Sequence, residues 1–112
     1  MHCQIRSPDR TFFDGEATMV VARSSRGEFA VMEDHAPLLA SIRSGPLRVK
    51  TVDEERVFAC FGGSLRVSTD AHVIVLVEDA VPLEEIDVNA LTAEAAPEAR
   101  RAILRGVAET YG

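Results

Sequence analysis

Several features are scarce or missing in this chain of 112 residues, which has no tryptophan, one tyrosine, two cysteines and no long apolar run. Its longest apolar runs, of which Val73 to Val77 is one, are far too short for a transmembrane helix, which needs about 20 residues. The first residues do not combine a basic region with a long apolar stretch, so the sequence predicts no secretory signal and favours a cytosolic location. Cys3 and Cys60 stand in apolar, strand-like surroundings, which predicts two small buried side chains instead of a disulfide or a zinc site.

Positive charge is also scarce. The chain has 12 lysine and arginine residues against 18 aspartate and glutamate residues, which gives a net charge of −6. A nucleic-acid binder needs basic charge to displace counterions from phosphates, and an anionic lipid surface also attracts basic segments. We therefore expect no nucleic-acid partner, and we expect membrane association only indirectly, through a protein complex.

The first 80 residues contain turn signals every few positions, such as Ser7-Pro8-Asp9 and Ser44-Gly45-Pro46. The segments between them are short, and Leu47 to Thr51 alternates apolar and polar side chains in the manner of a half-buried strand. Other segments are apolar on both faces, which is typical of central strands or of strands that a partner covers. This pattern predicts a mainly β fold, with an N-terminal antiparallel β-sandwich of about ten short strands over residues 1–84.

The composition changes in the last part of the chain, where alanine becomes frequent. Asp87 can cap a first short helix, Val88 to Ala95, and Pro97 fits the first turn of a second helix. The second helix has an apolar stripe whose members step by four residues: Ala99, Ile103, Val107 and Tyr111. Residues 85–112 are therefore predicted to form a short α-helical hairpin that docks on the sandwich or on a partner.

No group of residues points to catalysis or to a resident cofactor. The three histidines have no second histidine or carboxylate at the helical spacing of a metal site, and Gly62-Gly63-Ser64 is neither a nucleophile elbow nor a phosphate loop. We therefore predict no catalytic residue, no metal and no cofactor. Two alternatives stay open: an adaptor that docks through its apolar strands, and a small β-sandwich enzyme or ligand-binding module. The only plausible metal ligands of such a module are His2, Cys3, His35 and His72.

One segment carries a family resemblance. Gly27 to Leu39 reads Gly-Glu-Phe-Ala-Val-Met-Glu-Asp-His-Ala-Pro-Leu-Leu, which resembles the most recognisable stretch of the epsilon subunits of bacterial rotary ATP synthases (delta in mitochondria). Three more segments resemble the family in the same order and with similar spacing: Thr11 to Ala17, Phe61 to Val67 and Val75 to Ala80. The resemblance covers most of residues 1–86.

The resemblance implies a non-catalytic subunit of the central stalk. In this family the sandwich clamps the foot of the gamma subunit, sits on the ring of c subunits and helps to couple proton flow to rotation. The helical tail folds against the sandwich or extends along gamma towards the catalytic alpha/beta head, where it inhibits ATP hydrolysis. By this resemblance Glu28 faces the c-ring, and His35, Pro37 and Ala40 lie in the stretch that approaches gamma. The expected location is the cytoplasmic face of the bacterial plasma membrane.

The tail departs from the nucleotide-binding pattern Ile/Leu-Asp-x-x-Arg-Ala of some family members. Ile86 and Asp87 match it, but Ala90 stands at the position of the arginine and Leu91 at that of the alanine. Loss of the guanidinium removes a charge-assisted contact, so nucleotide binding is not expected. The remaining basic candidates are Arg100, Arg101 and Arg105.

The tail is also short. A continuous helix over residues 87–112 would reach roughly 39 Å at 1.5 Å per residue. Pro97 and Gly106 would make that continuous helix costly, by about 3 and 1 kcal/mol respectively. We therefore predict that the tail inhibits ATP hydrolysis weakly or not at all.

Overall fold

Ten short strands and a C-terminal helix make up the computed structural model, which describes residues 1–87 and 98–112. The strands are β1 His2–Arg6, β2 Thr11–Glu16, β3 Met19–Ser24, β4 Gly27–Met32, β5 Leu38–Ile42, β6 Gly45–Lys50, β7 Glu55–Cys60, β8 Gly63–Val67, β9 His72–Val77 and β10 Ala80–Pro82. A 3-10 helix, Leu83–Glu85, follows the last strand, and helix α1 spans Glu98–Tyr111. The prediction of a mainly β sandwich followed by a helical tail is confirmed.

The strands form two five-stranded sheets. Sheet I has the order β2-β1-β9-β8-β5, and sheet II has the order β10-β7-β6-β3-β4. All described pairs are antiparallel, as predicted for the sandwich, except β1 with β9, which is parallel and was not predicted. The turn signals in the sequence reveal only hairpins between consecutive strands, whereas a parallel pair requires a long crossover connection.

The core lies between the inner faces of the two sheets. In β9, for example, Val73, Val75 and Val77 are buried, while His72, Ile74 and Leu76 point away from the core. This alternation follows from the period of two residues in a strand. The largest fully buried side chains come from both sheets: Phe58, Ile5, Leu47 and Leu65.

Helix α1 packs on the outer face of sheet II. Leu104 and Val107 are buried there against Val57 and Ala59 of β7. The predicted stripe was correct for Val107 and for the partly buried Ile103 and Tyr111, but it was wrong for Ala99, which is exposed. A step of four residues drifts around a helix that has 3.6 residues per turn, so the contact face includes Leu104 and leaves out Ala99.

The first predicted helix of the hairpin, Val88 to Ala95, lies outside the described residues. In the described part of the chain, no helix combines the length and the apolar character that a membrane crossing requires.

The two cysteines provide a test of this core. Burial raises the pKa of the Cys3 thiol and of the Cys60 thiol to about 12, so both thiols remain neutral at about pH 8. We expect the folded chain not to react with a thiol reagent, and the chain in denaturant to react at both cysteines. Because ionisation favours the unfolded chain, the free energy of unfolding should fall as the pH rises from 9.0 towards 12. Fast labelling of both thiols in the native protein would contradict this core.

Candidate functional site

The outer face of sheet I is open among the described residues, because α1 covers the other sheet. Its central strands place side chains in rows. One row across β1, β9, β8 and β5 consists of Gln4, Ile74, Arg66 and Leu39, and the next row consists of Arg6, Leu76, Ser64 and Ser41. We refer to these eight residues as the sheet I face. Two concavities of about 680 and 760 Å³ lie along it and share Arg6, Ser64 and Leu76.

The sheet I face exposes large apolar side chains next to cations. Leu39 is 74% exposed and Leu76 is 46% exposed. Arg6 and Arg66 flank these residues, and within the described part of the chain neither arginine forms a salt bridge. Large apolar side chains exposed on one face are typical of protein-binding surfaces. The face therefore suits a partner that brings apolar groups and carboxylates.

The loop between β4 and β5 adjoins this face and contains two of the residues predicted to meet gamma. His35 and Pro37 are both exposed there, and Pro37 lines the larger concavity. The His35 ring is held locally, because its Nδ1–H donates to the carbonyl oxygen of Ala36 at 2.6 Å. Both side chains are thus accessible to a partner.

Ala40, the third residue predicted to meet gamma, has a different orientation. It shares a side of β5 with Leu38, which packs on the core, and with the buried Ile42, and it is itself half-buried. The exposed residue of this strand is its neighbour Leu39. This orientation could have been read from the sequence. Leu39 and Ile42 are three residues apart, so they point to opposite faces of a strand, and only one of them can face the core.

Glu28 lies on the other sheet. It is on β4, the edge strand of sheet II, and its side chain is 48% exposed. Its Oε1 lies 3.8 Å from a guanidinium nitrogen of Arg48, whose Nε donates to Glu55 at 2.6 Å. The hydrogen bond to Glu55 is the main reason that the pKa of Arg48 is raised. The predicted ring contact and the sheet I face are therefore on different sheets, and two partners can engage them together.

Arginine contacts hold α1 near both of its ends. The guanidinium of Arg100 lies 2.8 Å from Asp79 Oδ2, and its central carbon lies 4.3 Å from the ring centre of Phe61. Near the other end, the guanidinium carbon of Arg48 lies 5.5 Å from the ring centre of Tyr111. Arg100 is thus engaged with the sandwich in this structure.

The other residues of the nucleotide motif have separate positions. Ile86 is partly buried and packs with the cluster beneath α1, whereas Asp87 is exposed. Ala90 lies outside the described residues. The prediction that the tail binds no nucleotide therefore stays a prediction.

The four metal ligands of the alternative function do not converge. His2 and His72 are neighbours with ring centres 5.5 Å apart, and His2 Nε2 lies 2.6 Å from Asp14. Cys3, however, points into the core, and His35 lies in the loop between β4 and β5. Over residues 1–87 and 98–112, no group of three or more metal-binding side chains is placed to hold an ion. His2, Cys3, His35 and His72 therefore do not form one metal site.

Comparisons with known proteins agree with the fold and with the motifs. The family model described as "ATP synthase, Delta/Epsilon chain, beta-sandwich domain" matches residues 1–83. An ATP synthase epsilon chain from Rubrobacter xylanophilus is 40% identical over 89 residues, which cover 80% of this chain and 60% of the relative. An ATP synthase epsilon chain from Laribacter hongkongensis is 40% identical over 106 residues, which cover 93% of this chain and 74% of the relative.

Solved structures share the fold at low identity. A chain in the cryo-EM structure of the Euglena gracilis mitochondrial ATP synthase, described as OSCP/F1/c-ring in rotational state 1, superimposes with a TM-score of 0.75 at 23% identity. The superposition covers 96% of this chain and 76% of that chain. Against the Rubrobacter relative, the chain spans 60% of the relative's length. At this identity, the structural similarity supports the fold alone.

The contacts of Arg100 generate a test of tail docking. In Arg100→Ala, α1 loses the ion pair with Asp79 and the stacking on Phe61, which together contribute about 1 kcal/mol. We expect amide hydrogen exchange in α1 to become about fivefold faster, since 1.4 kcal/mol corresponds to a factor of ten. Arg105→Ala, on the exposed side of the same helix, is the matched control and should leave exchange unchanged. Equal exchange rates in both variants would contradict the assigned role of Arg100.

Proposed function

The chain belongs to the ATP synthase delta/epsilon chain family, and on that premise we propose that it is the non-catalytic epsilon subunit of a bacterial proton-translocating F-type ATP synthase. In this role it couples ion flow through the c-ring to rotation and ATP synthesis, by binding gamma and the c-ring. The observation that carries the proposal is the family match over residues 1–83, which includes all ten strands. The catalytic activity belongs to the complex and not to this chain.

The gamma subunit binds the sheet I face and the adjoining loop. Leu39 and Leu76 supply exposed apolar area, while Arg6 and Arg66 supply charge for carboxylates on gamma. His35 and Pro37 extend the contact into the loop between β4 and β5. Ala40 takes part through the backbone of β5, which is an edge strand of sheet I, because its side chain faces inward.

The c-ring binds the opposite side of the subunit, through Glu28 on sheet II. This carboxylate is half exposed and lies two residues after the tip of the β3–β4 hairpin, where a partner can reach it. Because gamma occupies sheet I, the two contacts do not compete. A subunit that holds both partners at once transmits rotation from the ring to gamma.

The tail regulates the complex only weakly. Its contact with the catalytic alpha/beta head is transient, because α1 is held on sheet II by Leu104, Val107 and the Arg100–Asp79 ion pair. The subunit is a peripheral part of the membrane complex. Its location is the cytoplasmic face of the bacterial plasma membrane, where it is retained by its protein partners.

The gamma contact is tested by Leu39→Asp, which replaces the most exposed apolar side chain of the sheet I face with a charge. Burial of an unpaired carboxylate is costly, so we expect co-elution with gamma on a sizing column to be lost and the affinity to fall at least about tenfold. Val52→Asp, at a side chain that is 89% exposed in the β6–β7 turn, is the matched control and should co-elute like the unmodified chain. If gamma binds Leu39→Asp normally, the sheet I face is not its site. If the unmodified chain also fails to bind gamma, the proposed function itself is wrong.

Weak regulation by the tail is tested by deletion of residues 87–112. The ATPase activity of the reconstituted complex should change by less than about twofold, because a tail that stays docked on the sandwich contributes little inhibition. The comparison requires equal amounts of epsilon in both complexes, measured on the purified assemblies. A several-fold rise in ATPase activity after deletion would show that the tail is a strong inhibitor.

A further inference from the structure

A small groove separates α1 from sheet II at the end of the sandwich that bears Glu28. Its volume is about 220 Å³. We call it the Gly106 groove, and its lining includes Arg23, Pro46, Ala102, Gly106, Thr110 and Tyr111. Pockets that hold small-molecule ligands usually measure about 300–1,000 Å³, so this space suits a single side chain better than a nucleotide or a cofactor.

Among the described residues, no neighbour occupies the position that a side chain at Gly106 would take. Glycine in the interior of a helix is about 1 kcal/mol less favourable than alanine. A Cβ atom at Gly106 would meet no other atom within 4 Å, so no contact in the described structure requires the glycine. The glycine therefore leaves this side of the groove free to receive a side chain from a partner.

Arg23 contributes a cation to the lining of the groove. Its guanidinium lies against Gly45, where a Cβ atom would come within 3.2 Å of a guanidinium nitrogen. Gly45 also has a φ of +150°, a conformation that favours glycine. The backbone is fixed as well, because the carbonyl oxygen of Arg23 accepts a hydrogen bond from the Arg43 N–H at 2.8 Å. In the described part of the chain this positioned guanidinium has no salt bridge, so its charge is available to a partner.

Glu28 stands directly beside this cation. Arg23 on β3 and Glu28 on β4 are register partners, and such partners have Cα atoms about 4.5–5.5 Å apart. The surface at this end therefore presents a positive and a negative side chain next to each other, with the groove beside the positive one. A partner with the reversed pair, one acidic and one basic residue close together, complements it.

We propose that the Gly106 groove receives an acidic side chain from the loop that contacts Glu28, so that its carboxylate pairs with Arg23 and its methylene stem lies along Gly106. A neighbouring basic residue of the same loop pairs with Glu28. This inference rests on the proposed contact between Glu28 and the c-ring. It makes the docked helix α1 one wall of the ring-binding surface, so release of the tail weakens the contact with the ring.

The test measures the affinity of the gamma–epsilon complex, assembled from full-length chains, for purified c-ring in detergent. Arg23→Gln removes the cation, and Gly106→Leu fills the groove with a good helix former. Each should lower the affinity about tenfold, since a charge-assisted contact contributes enough for a factor of that size. Two controls match these changes: Arg43→Gln removes a charge at the same end, and Ala99→Leu adds the same side chain on the exposed side of α1. Both controls should stay within about twofold of the unmodified complex.

A second readout excludes loss of folding as the cause. Amide hydrogen exchange in α1 should become slower in Gly106→Leu, because leucine favours the helix, while binding to the ring becomes weaker. The inference is overturned if both variants bind the ring normally, or if Arg43→Gln weakens binding as much as Arg23→Gln. If the unmodified complex does not bind the ring, the proposed ring contact fails first and the inference fails with it.

Discussion

The parallel pairing of β1 with β9 is the constraint on which the surfaces of this subunit depend. It runs from His2 opposite His72 to Arg6 opposite Leu76 and joins the start of the domain to one of its last strands. Without it, the β1–β2 hairpin would not be part of sheet I, since β1 pairs with only β2 and β9 among the described strands. The sheet I face exists because this pair places Arg6 beside Leu76, and the gamma contact proposed above requires that arrangement.

The two outer faces of the sandwich differ in what covers them. On sheet II, Val57 and Ala59 are buried beneath Leu104 and Val107 of α1, so the helix covers the apolar outer side of β7. On sheet I, no described element covers Leu39, which is left exposed. Because α1 lies on sheet II, no described helix shields sheet I, and this face suits a partner. Glu28 and the Gly106 groove both lie on sheet II, the sheet that α1 covers.

The sequence predicted the features that depend on neighbouring residues, such as the strands, but not those that depend on contacts between distant segments. The turn signals and alternating segments located the strands, and the segment from Gly27 to Leu39 indicated the family, because these signals are contiguous in the chain. The parallel β1–β9 pair could not be predicted, since no local pattern links strands that far apart. One error was smaller: Leu104 instead of Ala99 faces the sandwich, because packing decides the orientation of the helix.

The most direct test of the division between the two sheets is single-cysteine labelling with and without gamma. Cys3 and Cys60 are buried, so they give little background. Leu76→Cys reports on the sheet I face, and Ala30→Cys reports on the exposed outer side of sheet II. Addition of gamma should slow labelling at position 76 by at least about tenfold and leave position 30 unchanged, because a protein interface excludes the reagent from buried side chains. Protection of position 30 with unchanged labelling at position 76 would contradict the account.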